Sequence, residues 1–290
     1  MIKLLVIVVT YNGMKWIEKC LSSVFNSSIP NKVIVIDNGS TDGTINFLEA
    51  LGKKIIFYKT DQNLGFGKAN NIGLKYAIDN NYDYVYLLNQ DAWVFPDTFE
   101  ILIKELSTNP ELALISPLQL TASLNSLDKN FLQLACPLEI LSDALCAHIK
   151  PFYHSNFIMA AHWLLKTEII KQIGGFSPAF PHYGEDDNYI QRLFFNNYKI
   201  GISTEARAIH DREERIRSKA FEYYYNYIYS IILIENPLLK HRFLKSLKHY
   251  IKIIIFHFSI PNFKYFMKFF CNLFYYKKIF KQSLQKKAFL

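Results

Sequence analysis

Three consecutive carboxylates, Glu185, Asp186 and Asp187, stand directly after Gly184 and just ahead of Ile190, Leu193 and Phe194. That spacing predicts a helix starting at the acids, where carboxylates accept hydrogen bonds from free backbone N–H groups and oppose the helix dipole. Capping needs one or two such acids. The third is available for proton-transfer chemistry if the rest of the chain builds a site around it.

The elements that must position these acids alternate. Leu4 to Val9 is a β-branched run, and Trp16, Ile17, Leu21, Val24 and Phe25 then recur at helical spacing. Val33 to Ile36, Ile55 to Tyr58 and Tyr84 to Leu88 repeat the strand pattern. Helices are expected from about Asp42 to Ala50, through Ala69, Ile72, Leu74 and Ala77, and from Phe99 to Leu106. Unbroken apolar strands alternating with helices predict an α/β fold, a mainly parallel sheet covered on both faces. Ligands bind such sheets beyond the carboxyl ends of the strands. Here those ends are polar: Thr10-Tyr-Asn-Gly13, Asp37-Asn-Gly-Ser-Thr-Asp-Gly43, Asn63-Leu-Gly-Phe-Gly-Lys-Ala-Asn-Asn71 and Asn89-Gln-Asp91. Each taken alone is an ordinary turn composition. Gly65-Phe-Gly-Lys-Ala-Asn70 lacks the third glycine of a dinucleotide fingerprint and follows the third strand, and no Walker A motif is present. Residues 116 to 160, with Pro117, Pro137 and Pro151, read as loops.

Composition narrows the partners. The chain has 290 residues, half of them hydrophobic, enough for a sizeable core. Cys20, Cys136, Cys146 and Cys271 follow no metal-ligand or disulfide spacing and read as reduced thiols. The apolar run after Met1 is short and meets no small-residue cleavage site, so a buried strand is expected there and a cytoplasmic location for the chain. Charge is uneven: residues 1–217 carry 20 basic and 23 acidic side chains, residues 218–290 carry 13 and 2, a net +11. No uncharged run in that tail is long enough to span a bilayer. Lys240, Arg242, Lys245, Lys248 and Lys252 instead alternate with Leu244, Leu247, Ile251 and Ile255, which predicts a helix lying on an anionic membrane surface or packed back on the rest of the chain. Nucleic acid is not an expected partner.

In order, Val8-Val-Thr-Tyr-Asn-Gly13, Val35-Ile-Asp-Asn-Gly-Ser-Thr-Asp-Gly-Thr44, Asn63-Leu-Gly-Phe66 with Ala69-Asn-Asn-Ile-Gly73, Leu87-Leu-Asn-Gln-Asp91, Gly174-Gly-Phe176 and Tyr183-Gly-Glu-Asp186 resemble the motifs of family 2 glycosyltransferases of the GT-A fold. The resemblance implies a Rossmann-like domain over residues 1–217, with a donor half to about 115 and an acceptor half from about 116, and a basic, aromatic helical extension over residues 218–290. It implies inverting transfer of a sugar from a UDP- or dTDP-sugar to a hydroxyl of a glycan or lipid-linked acceptor, as in bacterial polysaccharide and rhamnosyl-type transferases of cell-surface synthesis. Asp37 would contact the nucleobase beside Thr10 and Asn12, with Tyr11, Asn63, Gly65, Lys68, Asn70, Asn89 and Gln90 completing the donor site. Asp91 and His210 would hold a divalent cation, Mn²⁺ or Mg²⁺. Asp186 would be the catalytic base and Glu185 its orienting neighbour, leaving Asp187 to cap the helix. Trp163 would stack on an acceptor sugar, its alternative fate being core packing.

The chemistry matches those roles. A hard cation offsets the charge growing on a departing diphosphate, and a positioned carboxylate takes the proton of an attacking hydroxyl. The family's usual metal motif is Asp-x-Asp, whereas Asn89-Gln-Asp91 keeps one of the two carboxylates, resembling an Asn-Pro-Asp variant of bacterial polysaccharide enzymes. Two other classes meet some of the same features: a sugar-phosphate nucleotidyltransferase, and a non-catalytic membrane-surface protein with a degenerate transferase domain.

Overall fold

The structure is a computed structural model that describes residues 2–212 and 218–290. Among these, nine strands form one sheet: β1 (Leu4–Thr10), β2 (Asn31–Asp37), β3 (Ile56–Lys59), β4 (Tyr84–Asn89), β5 (Ala92–Val94), β6 (Leu112–Leu120), β7 (Phe152–Ser155), β8 (His162–Lys166) and β9 (Lys199–His210). Their order is β3-β2-β1-β4-β8-β6-β9-β5, with β7 also on β9. The first four pair in parallel, as the sequence predicts, and β8 then runs antiparallel to both β4 and β6. The expected boundary at residue 217 lies outside the described residues.

Helices α1 (Ile17–Phe25), α2 (Thr44–Ala50), α3 (Phe66–Asp79), α4 (Thr98–Thr108), α5 (Leu138–Leu145), α6 (Thr167–Ile173) and α7 (Glu185–Phe195) accompany the sheet. Side chains alternate across a strand, so β1 feeds two cores. Leu5 and Ile7 pack in one with Ala69 and Leu74 of α3, while Leu4, Val6 and Val8 pack in the other with Leu21 and Val24 of α1 and Phe99 of α4. Helix α2 begins at Thr44, two residues later than expected, because Asp42 Oδ1 accepts the Thr44 N–H and hydroxyl and holds the chain in a turn first.

Residues 116–160 are more regular than loops. They hold the end of β6, a wide helical turn over Phe131–Ala135, α5 and β7. Pro117 sits inside β6 where the pairing with β9 shifts register, a place in a sheet that tolerates a missing N–H. Prolines alone therefore mislead here.

The tail forms α8 (Lys219–Glu235), α9 (Arg242–Phe256), α10 (Ile260–Cys271) and α11 (Leu273–Ser283). It builds a third core in which Tyr227, Ile228 and Ile231 of α8 meet Ala179 and Phe180, just ahead of α7. Gly184, at φ +83°, permits this contact: a Cβ there would lie 2.9 Å from Ile228 Cγ2 and 3.0 Å from Phe180 Cδ1. Behind α7, the buried Arg192 donates to Asn188 Oδ1 at 3.1 Å, to the Ile173 carbonyl at 2.8 Å and to the Gly175 carbonyl. Asn188 Nδ2 in turn donates to the Glu235 carbonyl of α8 at 3.2 Å. Replacing Arg192 with Met leaves these carbonyls unpaired in the interior, and the expected loss is about 3–5 kcal/mol of stability. Urea unfolding measures it, and a loss below about 1 kcal/mol would show that the network is dispensable.

Candidate active site

The ends of β1, β2 and β4 form one polar edge. Gln90 clips two of them together: its Oε1 accepts from the Thr10 hydroxyl at 2.7 Å and the Tyr11 N–H at 2.9 Å, and its Nε2 donates to the Tyr11 carbonyl at 3.3 Å. Asn12 ties β1 to the loop after β2, its N–H donating to Ser40 Oγ and its Oδ1 accepting the Thr41 N–H, both at 2.8 Å. Asp37 is fully buried at the end of β2. Its Oδ1 accepts from the N–H groups of Gly39 at 3.0 Å and Ser40 at 2.8 Å, while Oδ2 is buried with no hydrogen-bond partner. A buried carboxylate oxygen left unpaired is costly, so this atom is suited to a donor group on a ligand.

Asn38 continues the edge towards α3, with its Oδ1 accepting from the Leu64 N–H at 3.2 Å and its Nδ2 donating to the Gly65 carbonyl at 3.4 Å. Asn63 is exposed and its Oδ1 accepts the Gly65 N–H at 2.9 Å; Lys68 is exposed in the first turn of α3. Asn70 is buried and donates to the Phe66 carbonyl at 3.0 Å, within its own helix. Asn89 lies half-buried at the end of β4.

Pairing between β5 and β9 sets Ala92 opposite His210, which brings His210 to Asp91. His210 Nε2 is buried, lacks a hydrogen-bond partner and lies 3.5 Å from Asp91 Oδ1. Arg212 donates to His210 Nδ1 at 3.2 Å, which leaves the ring proton on Nε2, facing Asp91. Burial acts to raise the Asp91 carboxyl, but the contact with His210 and the charge of Arg212 more than offset it, so it lies below its ordinary value. Behind them His162 donates from Nε2 to the Ile209 carbonyl at 3.1 Å and accepts the Tyr86 hydroxyl at Nδ1, 2.8 Å. Burial, then the neighbouring His210, lowers His162 to about 3 and keeps it neutral. Sequence reading missed His162 and Arg212, which only the register of β4, β8 and β9 brings to this place.

A carboxylate and an imidazole are a chemically suitable donor pair for a divalent cation, and an Nε2 without a partner fits that use. Ligation through Nε2 requires the ring proton to move to Nδ1 and the Arg212 contact to open. Among the described residues no group of three or more His, Cys, Asp or Glu side chains could hold a metal.

At the start of α7 all three carboxyls titrate high. Burial, then the charge of Asp186, raises Glu185 to about 8, and burial with Asp186 raises Asp187 to about 7. Asp186 is also raised by burial, against the opposing N–H groups of Asp187 and Ala160 and the charge of Arg212. Glu185 Oε2 is buried without a partner. The expected capping role of Asp187 is not found: Gly184 occupies the cap position, and Asp186 Oδ1 accepts the Asp187 N–H at 3.0 Å.

Trp163 is also corrected. It is 0% exposed, with Nε1 donating to the Ile158 carbonyl at 3.2 Å, its ring stacked 6.0 Å from Phe176 and tilted by 46° at 5.7 Å from Tyr189. Apolar neighbours on β8 carry it into the core, where no acceptor sugar reaches it.

The family model described as Glycosyl transferase family 2 matches residues 5–160, more than half of the chain. The chain belongs to glycosyl transferase family 2. Poly-beta-1,6-N-acetyl-D-glucosamine synthase of Staphylococcus epidermidis is 32% identical over 109 residues, which are 37% of this chain and 26% of that relative's length. S. aureus TarS 1–349 in complex with UDP-GlcNAc is similar in structure at a TM-score of 0.57 and 15% identity, covering 98% of this chain and 82% of that one. The mannosyltransferase PcManGT of Pyrobaculum calidifontis, in complex with GDP-Man and Mn²⁺, is similar at 0.55 and 17% identity, covering 97% and 73%. These likenesses identify the fold of this family 2 glycosyltransferase as GT-A.

The carboxylate cluster makes stability depend on pH. Folded Glu185 and Asp187 keep protons to about pH 8 and 7 that the unfolded chain releases near 4.5 and 3.8. Their favourable contribution is complete below those unfolded values and is lost as pH rises towards 8. Glu185→Gln removes one such group, so its melting temperature relative to the parent is expected to rise between pH 5 and pH 8. A difference that stays constant across this range contradicts the raised carboxyl.

Proposed function

We propose that the chain is an inverting glycosyltransferase that moves a sugar from a nucleoside-diphosphate sugar to a hydroxyl of a glycan or lipid-linked acceptor in cell-surface polysaccharide synthesis. The observation that carries this reading is the buried Asp37 carboxylate at the strand-end edge of a family 2 chain, its Oδ2 left without a partner. That unpaired oxygen suits an N–H donor of a bound nucleotide, which a donor site for glycosyl transfer must hold.

In this reading the unpaired Asp37 oxygen accepts an N–H of the nucleobase, Thr10, Tyr11 and Gln90 frame that pocket, and Lys68 and Asn63 face the diphosphate from the start of α3. Asp91 and His210 hold a divalent cation, which when bound offsets charge on the leaving diphosphate. Asp186 accepts the acceptor's proton and Glu185 orients it. Uridine or thymidine donors suit Asp37 as a hydrogen-bond acceptor. The relatives' complexes with UDP-GlcNAc and with GDP-Man and Mn²⁺ support a nucleotide sugar and a metal in general terms.

A screen of nucleotide sugars for Mn²⁺- or Mg²⁺-stimulated diphosphate release tests this. Asp186→Asn is expected to bind nucleotide like the parent and lose at least about a hundredfold in transfer rate, while Asp187→Asn keeps most activity. Asp91→Ala is expected to weaken metal-dependent nucleotide binding. Full activity in Asp186→Asn would remove it as the base, and nucleotide binding without turnover in the parent would favour a non-catalytic protein.

We also propose that the enzyme sits peripherally at the cytoplasmic face of a membrane. No described helix is long and apolar enough to cross one. Phe256 and Phe258, 70% and 67% exposed at the α9–α10 corner, are flanked by Lys252 and Lys264 in the segment of net charge +11, which suits an anionic lipid surface. The parent is expected to float with anionic vesicles, and the double variant Phe256→Glu, Phe258→Glu to stay behind. Equal flotation of the two would exclude that corner as the contact.

A further inference from the structure

The burial of Trp163 leaves the acceptor without an aromatic partner in the expected place, and a different aromatic surface borders the catalytic carboxylates. Ser218 caps α8 by accepting the Phe221 N–H at 3.2 Å, which fixes the first turn of that helix. Phe221 and Tyr225 lie one turn apart, so their rings stack, 6.0 Å between centroids and 21° between planes. Tyr183 meets Phe221 edge-on at 5.4 Å and 90°. Tyr183 and Tyr225 remain 36% and 44% exposed.

Two further contacts hold this surface against the start of α7. Tyr183 and Gly184 are consecutive left-handed residues at φ +67° and +83°, a strained state for a tyrosine that persists only where its surroundings fix it. Tyr224 of α8 supplies part of that fixing by donating its hydroxyl to the His182 carbonyl at 3.0 Å. The strain therefore presents the Tyr183 ring two residues ahead of Glu185. None of these aromatic residues belongs to the strand ends that form the donor pocket.

A pyranose carries an apolar C–H face and a polar rim. Adjacent aromatic rings match the face, and tyrosine hydroxyls beside a carboxylate cluster match the rim. We propose that Tyr183, Phe221 and Tyr225 form the acceptor subsite, on which a pyranose of the acceptor stacks while its nucleophilic hydroxyl faces Asp186. This rests on the glycosyl-transfer reading above and adds to it a substrate-binding role for the first helix of the tail. The tail is then part of the active site as well as a surface element.

Saturation-transfer NMR on the full chain tests it, with methyl gluco- and galactopyranosides as acceptor probes and UDP, dTDP and GDP as donor-side probes. The parent is expected to show saturation of pyranoside ring protons. Tyr225→Ala and Phe221→Ala are expected to weaken pyranoside binding about tenfold, with nucleotide signals unchanged and the melting temperature retained. Tyr225→Phe, which keeps the ring, should bind like the parent. Absence of pyranoside signals in the parent, or parent-like binding in both alanine variants, overturns the subsite. Loss of vesicle flotation in Tyr225→Ala with pyranoside binding intact overturns it in favour of lipid. Failure of the glycosyl-transfer reading is seen separately, as absence of nucleotide binding in every protein.

Discussion

Burying a guanidinium is expensive unless each of its donors finds an acceptor, and Arg192 is buried to 1% exposure. Its hydrogen bonds go to Asn188 on its own helix and to carbonyls of Ile173 and Gly175 at the end of α6. Burial lowers it only to about 10, so it stays charged near neutrality. Glu235 lies near enough to feel that charge, yet both its carboxylate oxygens lack partners, and burial raises it to about 8. The cation thus fixes the back of α7 between the Gly174-Gly-Phe176 turn and α8, and the front of α7 carries Glu185, Asp186 and Asp187. Positions of the three carboxylates thus depend on a charge buried in the interior.

The same turn is held from the other side. Asn71 of α3 donates to the Phe176 carbonyl at 2.9 Å and accepts the Phe176 N–H at 2.7 Å. Gly67, one turn earlier in α3, leaves room for Phe176 and Glu185, since a Cβ there would lie 2.9 Å from Phe176 Cβ. Helix α3 also starts beside Asn38, next to the Asp37 carboxylate. The strand-end edge that holds Asp37 and the carboxylate cluster on α7 are in this way braced by one helix, as a site built from both would need.

Strand-end motifs were legible because a parallel sheet gathers its carboxyl ends whatever the loops do. Thr10, Asp37 and Gln90 meet for that reason, and their spacing in sequence carries the fold with it. His210 reaches Asp91 through the β5–β9 register, which a local motif hints at but does not define. Trp163 and Tyr183 show where local reading runs out. One tryptophan among apolar neighbours has the same signature in a core as on a sugar, and only the alternation of β8 within the sheet decides. The tail was ambiguous for a similar physical reason. An apolar stripe looks identical in sequence whether it packs on protein or stays open, and here both occur: Ile228 and Ile231 of α8 are buried, while Phe256 and Phe258 are exposed.

Among the three acids, the environment itself distinguishes Asp186. Crowded carboxylates cannot all ionise at low cost, so the proton goes to those with least compensation. Glu185 has an oxygen with no partner and rises to about 8, and Asp187 rises to about 7 with only a minor opposing hydrogen bond. Asp186 is raised too, but the groups that favour its ionised form converge on it: the N–H groups of Asp187 and Ala160 and the charge of Arg212. Glu185, raised to about 8, is therefore expected to keep its proton near neutral pH, while the groups around Asp186 oppose the rise that burial causes there. A neutral Glu185 relieves repulsion, and in the proposed reading it would have a proton to donate in orienting a hydroxyl, while Asp186 would accept one. The base and orienting roles proposed for the two residues would then rest on desolvation and hydrogen bonding, independently of the motif in which they stand.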